Sequence, residues 1–325
     1  MHLIRRIICL TALSLAAVTT SLHAAPLKVG YSDWPGYTAF EIAVQKGWFK
    51  DAGVDVEFDW FDYGPSIDAF SAGKIDADCI VASDALGAGA AGSPSKFIAI
   101  LDYSEGSDMI VGKPGIASIK DLKGQKVAVE FGLVEHFLLL EGLKRAGLSQ
   151  SDVTLVNTPT NNMPQTLASG QVAAVGAWYP ISGQALQSPG SKRLFTSADA
   201  KGLIYDVLAV NPASLAAHHA EWSKIAAIYY KCVAYLADPA TRDDAIKIMA
   251  AKVQQKPEDY AKNLPGTHFH TLAEAKANYK GDAGKAMNLH DSLVLSDKFS
   301  LENAVYKVSQ KPDDYVSGAI TLALP

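Results

Sequence analysis

The chain has 325 residues, 49% hydrophobic and 19% charged, with 29 Lys and Arg against 34 Asp and Glu and a formal net charge of −5. That length calls for one large or two smaller domains, and the acidic balance makes nucleic acid and anionic lipid poor partners. Beyond the first twenty residues no stretch is apolar and uncharged over the length a membrane crossing needs.

Arg5 and Arg6 form a basic start, Ile7 to Thr20 is apolar, and Leu22-His23-Ala24 places a small residue before Ala25-Pro26. Residues 1–24 therefore read as a secretory signal peptide. Cys9 follows Ile8 inside the apolar run instead of standing after a small residue at the cut, so a free periplasmic protein is expected, not a lipoprotein. Cleavage removes two arginines and no acid, taking the formal charge from −5 to −7. Cys79 and Cys232 remain, far apart. The sequence admits one disulfide or two thiols, and the frequent burial of cysteine favours two separate thiols.

Leu27 to Tyr31 reads as a short strand, followed by the turn Asp33-Trp34-Pro35-Gly36. Thr38 stands three residues before Glu41, the spacing of a capping box, and its helix runs to Gly47 as a C-terminal cap. Val54 to Trp60 alternates apolar and acidic residues, as a strand with one wet face does. Pro65-Ser66 opens a helix ending at Gly73, and Ile75 to Val81 is the next strand. The order β-α-β-α-β calls for a parallel sheet covered by helices. Lys96 to Leu101 and Met109 to Val111 add strands.

The order then returns: strand Lys126 to Glu130, helix Val134 to Ala146, strand Val153 to Asn157, helix Pro164 to Ser169, strand Val172 to Trp178. Ile67 to Ala77 also parallels Pro164 to Ala174 residue by residue. A repeat of roughly 100 residues exceeds a solenoid unit and implies two similar lobes with a cleft between them. Met109 to Val111 and Tyr205 to Val210 are taken as the crossings. Helices are expected over Leu215–Leu236, Thr241–Val253, Pro257–Asn263, Leu272–Tyr279 and near Lys285–Leu295. The first lobe is thus assigned residues 25–109 and 206–325, and the second residues 110–205.

Val29-Gly30-Tyr31, the segment Glu41 to Val56 with Gly47-Trp48-Phe49 and Ala52-Gly53-Val54, Phe70 to Ala77, and Val127-Ala128-Val129 with Gly132 and His136 resemble the nitrate, sulfonate and taurine family of transporter-associated binding proteins. The resemblance covers about residues 27 to 210. It implies a two-lobed periplasmic binding protein fold of type II, in which two similar α/β lobes joined by two crossing strands hold a ligand in the cleft. The implied partners are an ABC transporter's permease and ATPase subunits. Members that bind sulfonates carry a small hydroxyl residue after the glycine that opens the second-lobe helix. Here Gly132 is followed by Leu133, and Glu130 stands ahead of it.

Ligands of open α/β sheets bind beyond the C-terminal ends of the strands. Eight residues at those ends are singled out for binding: Asp33, Trp34, Trp60, Tyr63, Asp84, Glu130, Trp178 and Asp206. Asp62 and Asp102 lie among the same strand ends. Acids and aromatics fill the set, and neither Lys nor Arg occurs in it. An anion needs donors, whereas a cation gains from carboxylates and ring faces, about 0.5–2 kcal/mol per cation-π contact. A small cation is the expected ligand. Guanidinium leads, being planar, able to stack on indole and forked toward carboxylates.

Plainer roles compete. Asp33, Asp62 and Asp84 sit where helices begin and would serve as N-caps; Trp34 and Trp60 would serve as core anchors. Asp206, in an apolar strand, needs a ligand or a hinge partner. His268-Phe269-His270 and His218-His219 lack the clustered companions of a metal site. Gly87 to Gly92 lacks the ending of a phosphate loop, and no nucleophile elbow occurs. A monomeric importer-associated binding protein with no cofactor or metal is therefore expected. Import of a sulfonate, taurine or nitrate is the alternative. Two readings from other classes are a pyrimidine-synthesis enzyme, whose cysteine cluster is missing around Cys79, and a sensory module.

Overall fold

The computed structural model describes residues 25–325, so the signal-peptide segment 1–24 lies outside the described residues. Eleven strands among them form two sheets. They are β1 (Leu27–Tyr31), β2 (Val56–Trp60), β3 (Ala77–Val81), β4 (Lys96–Ser104), β5 (Met109–Gly112), β6 (Lys126–Val129), β7 (Thr154–Asn157), β8 (Ala174–Ala177), β9 (Lys192–Thr196), β10 (Tyr205–Val210) and β11 (Thr267–Phe269).

The first sheet has the order β11-β4-β10-β3-β1-β2 and the second β7-β6-β8-β5-β9. Both carry one plan. β1 pairs in parallel with β2 and β3 as β6 does with β7 and β8, and an antiparallel strand follows: β10 beside β3, β5 beside β8. This is the two-lobed α/β architecture expected from the repeat. The central strands β3, β5, β8 and β10 are buried along their whole length, which explains their runs of apolar residues without alternation.

The helix ends follow the glycines. Gly47, Gly73, Gly147 and Gly170 all have φ between 66° and 76°, a conformation that glycine adopts without a Cβ penalty. The capping box at Thr38 does not form. Thr38 lies inside a first helical turn, Pro35–Thr38, and its hydroxyl bonds the Pro35 carbonyl and Tyr260, while Glu41 accepts from Tyr31 and pairs with Lys252 at 3.0 Å. The helix Pro212–Ala217, capped by Asn211, breaks at His218 before His219–Ala237, where one helix was expected. The last expected helix runs later and longer, over Leu289–Glu302.

β5 and β10 each belong to a single sheet. The chain passes between lobes just before them, through residues 105–108 and 197–204. Ser197 ties these passages together, its hydroxyl meeting Ser104 Oγ at 2.6 Å and accepting from the Gly106 N–H at 2.7 Å. Lys201 bonds Glu105 across them. Cys79 and Cys232 are free and buried. Among the described residues no helix is long and apolar enough to cross a membrane, and no group of three or more His, Cys, Asp or Glu is placed to hold a metal ion.

Candidate functional site in the interlobe cleft

Between the lobes lies a tight chamber of about 10 Å³, room for about one water. Ser32, Trp34 and Tyr37 reach it from the end of β1 and the turn beyond, Tyr63 from the helix after β2, Val81 from β3 and Asp206 from β10. The second lobe contributes Val134, at the start of the helix Val134–Arg145, and Trp178, just past β8. The passages contribute Asp108 and Ile204. No lining residue is Lys or Arg. A wider space of about 480 Å³ adjoins the chamber, sharing Ser32, Tyr63 and Trp178 and adding Asp33, Trp60 and Lys252.

Four aromatic rings wall the chamber, and each polar tip is held by a different carboxyl. Trp34 Nε1 donates to Asp102 at 3.0 Å, Tyr37 to Asp206, Tyr63 to Asp84 at 2.8 Å, and Trp178 Nε1 to Asp33 at 3.0 Å. Tyr63 and Trp178 meet edge to face across the cleft, 5.2 Å between centroids. With their tips engaged, the rings are fixed in orientation.

Three first-lobe acids bind the second lobe instead of capping their own helices. Asp33 accepts from Trp178, Asp62 from Asn161 Nδ2 at 2.8 Å, and Asp84 from the Val134 N–H at 3.3 Å. Asp62 occupies an N-cap position and makes no cap bond. These contacts describe a cleft whose walls have come together.

Trp34, Tyr63, Trp178 and Asp206 thus line the chamber, while Asp33 and Asp84 stand behind its walls. Trp60 and Glu130 lie elsewhere. Trp60 is 41% exposed, packs edge-on against Tyr31 and sits 5.2 Å from the Lys252 ammonium. Glu130 accepts two bonds from Thr160, backbone and hydroxyl, at 3.1 and 3.0 Å. The eight residues singled out omitted Ser32, Tyr37, Asp108 and the buried Glu135 behind Asp108. Tyr37 was hidden by its position past the Pro35-Gly36 turn, and Asp108 by lying in a passage with no regular pattern. Glu135 sits in a helix's first turn, where an acid reads as dipole compensation.

The acids share one electrostatic situation. Burial pushes the carboxyls of Asp78, Asp84 and Asp102 up to about 7 and those of Asp33 and Asp108 up to about 6. Asp206 and Glu135 are held well above the usual carboxylate range, by burial first and then by Asp102 and Asp108 respectively. No salt bridge among the described residues reaches any of these seven. Asp102, Asp108, Glu135 and Asp206 each keep at least one buried oxygen with no hydrogen-bond partner among the described residues. Unpaired buried acceptors are costly, and of these four acids Asp108 and Asp206 line the chamber.

The sequence profile described as NMT1/THI5 like matches residues 34–241, so the chain belongs to the NMT1/THI5-like family. A Brucella abortus protein that bears a provisional name as a binding protein is 33% identical over 177 residues, 54% of each chain. This chain therefore spans about half the length of the curated relatives it matches. Among solved structures, the periplasmic aliphatic sulphonate binding protein SsuA from Escherichia coli superposes with a TM-score of 0.72 at 19% identity, covering 90% of this chain and 92% of that one. The desulfurization enzyme DSZB does so with a TM-score of 0.65 at 16% identity, covering 92% and 98%. At such identities the likeness is one of fold, and that fold carries both binding and catalysis.

Proposed function

We propose that the protein is the periplasmic solute-binding component of an ABC importer, and that it captures a small organic cation of the guanidinium or amidinium kind between its lobes. The observation that carries this reading is the chamber itself, where cavity-facing Asp206 and Asp108 offer free oxygens among four fixed rings with no cationic side chain in the lining. A planar cation would stack on an indole and direct its N–H groups at these carboxyls. The chamber as closed here has room for about one water, about 10 Å³, so a cation of few atoms is seated by a slight parting of its walls.

Closure supplies the transport signal. The lobes meet through the Asp33–Trp178, Asp62–Asn161 and Asp84–Val134 contacts, and a ligand that bridges Asp206 and Trp178 favours that state over an open one. Permease and ATPase subunits would read the closed form, with the protein itself a monomer that turns nothing over. Import of a sulfonate, taurine or nitrate is the second reading, favoured by the fold likeness to SsuA; against it stand the buried acids and Leu133.

Small-angle scattering with and without guanidinium tests the proposal. The profile should become more compact on saturation, and a tightly bound cation that leaves it unchanged would contradict capture by lobe closure.

A further inference from the structure

Asp102 and Asp206 are cross-strand partners of β4 and β10 and are 0% and 1% exposed. One oxygen of Asp102 accepts from Trp34 and one of Asp206 from Tyr37; the second oxygen of each has no donor among the described residues. As cross-strand partners, the two carboxyls stand side by side on one face of the sheet. Gly36 makes room for this, since a Cβ there would fall 1.7 Å from Asp102 Oδ2. Carboxylate oxygens only accept, so two neighbouring ones with no other donor bond only through a shared proton, and two like charges buried side by side resist ionising together.

The titratable groups that act with the pair are Tyr37, Tyr63, Cys79 of β3, Asp108, Tyr229 and Tyr260. None of them supplies a positive charge. Burial above all raises Asp102 to about 7 and holds Asp206 well above the usual carboxylate range.

We propose that the empty site holds one proton between Asp102 and Asp206 and that a bound cation takes its place, making capture a one-for-one exchange of cation for proton. This rests on the cationic-ligand reading above and adds a coupling to pH. In the exchange the shared O–H bond breaks and the proton leaves to solvent. The pair passes from one negative charge to two as the cation brings one positive charge, so the charge of the filled chamber equals that of the empty one. Acid favours release of the ligand.

Calorimetric titration with guanidinium chloride, in buffers of different ionisation enthalpy, counts the protons released. About one proton per guanidinium is expected at neutral pH, with affinity falling about tenfold per pH unit on acidification through the pair's range. In Asp102→Asn the amide donates to Asp206 and leaves it ionised. Release should then vanish and the pH slope flatten, whatever affinity remains. Equal heats for the wild type in all buffers overturn the exchange. Infrared spectra of the ligand-free protein give a readout independent of ligand: a protonated-carboxyl band at neutral pH that weakens in Asp102→Asn. No difference between the two proteins overturns the proposal whatever binds. If the difference is present and guanidinium gives no heat, the exchange falls together with the ligand class it rests on, whereas binding without proton release removes the exchange alone.

Discussion

The end of β3 in the first sheet and the end of β8 in the second occupy matching places in the repeated topology, yet one delivers Asp84 and the other Trp178. The same holds at β1 and β6: Asp33 and Trp34 leave the first, whereas Glu130 leaves the second, one oxygen bonded to Thr160 and the other toward Gly64 of the first lobe. The first lobe presents acceptors, and the second answers with an indole N–H, an amide and a backbone N–H. Duplicated topology thus carries complementary chemistry. On the proposed reading, the first lobe sets the sign of the ligand and the second closes over it.

The comparison breaks most sharply at Asp206. Asp206→Asn keeps the shape and removes the charge, and loss of a buried charged partner costs on the order of 2–5 kcal/mol of binding. Guanidinium affinity measured by calorimetry should fall at least about tenfold; unchanged affinity would remove the first lobe as the source of charge selection. A smaller loss is expected on the closing side. Trp178→Ala deletes one stacking wall and the Asp33 bond, which should weaken binding by about tenfold, in line with one cation-π contact. The protein should stay folded but melt lower, because Trp178 is 5% exposed and its removal leaves a cavity.

A third outcome concerns the ligand-free protein. Five carboxyls raised to about 6 or 7 bind protons in the folded state that the unfolded chain, with carboxyls near 4, has already lost. Stability is therefore lost as pH rises through about 6–7. His136 and His270, whose burial lowers their affinity for protons, oppose the trend on the acid side as two groups against five. Thermal melts should show a higher midpoint at pH 5.5 than at pH 8, by a few degrees. A flat or reversed profile would mean that these acids have counter-charges. The smallest effect belongs to Glu130→Gln. Its carboxyl bonds Thr160 outside the chamber, so affinity should change less than about threefold, and a large loss would move the site toward the wider outer space.

Much of this fold was legible in the sequence. The β-α-β-α-β order repeats, and left-handed glycines such as Gly47 and Gly170 mark the helix ends. Short edge strands such as β9 and β11 carried too little periodicity to be read. The break at His218 was hidden in a continuous helical pattern. Of the site, strand ends pointed to Trp34, Tyr63, Trp178 and Asp206 as cleft residues, and the structure places these four on the chamber. Partnerships were not legible, because they join distant positions: Asp33 to Trp178 across 145 residues and Tyr37 to Asp206 across 169. Trp60 misled because a wet-faced strand ends the same way whether its last side chain faces the chamber or the solvent beside Lys252.

The central claim is the sign of the ligand, and calorimetry of the wild type against a panel of guanidinium, an amidine, an amine, taurine, an alkanesulfonate and nitrate tests it most directly. Saturable heat with a cation of the first group and none with the anions is the expected result. Tight binding of taurine, the alkanesulfonate or nitrate, with no response to any cation, would contradict it.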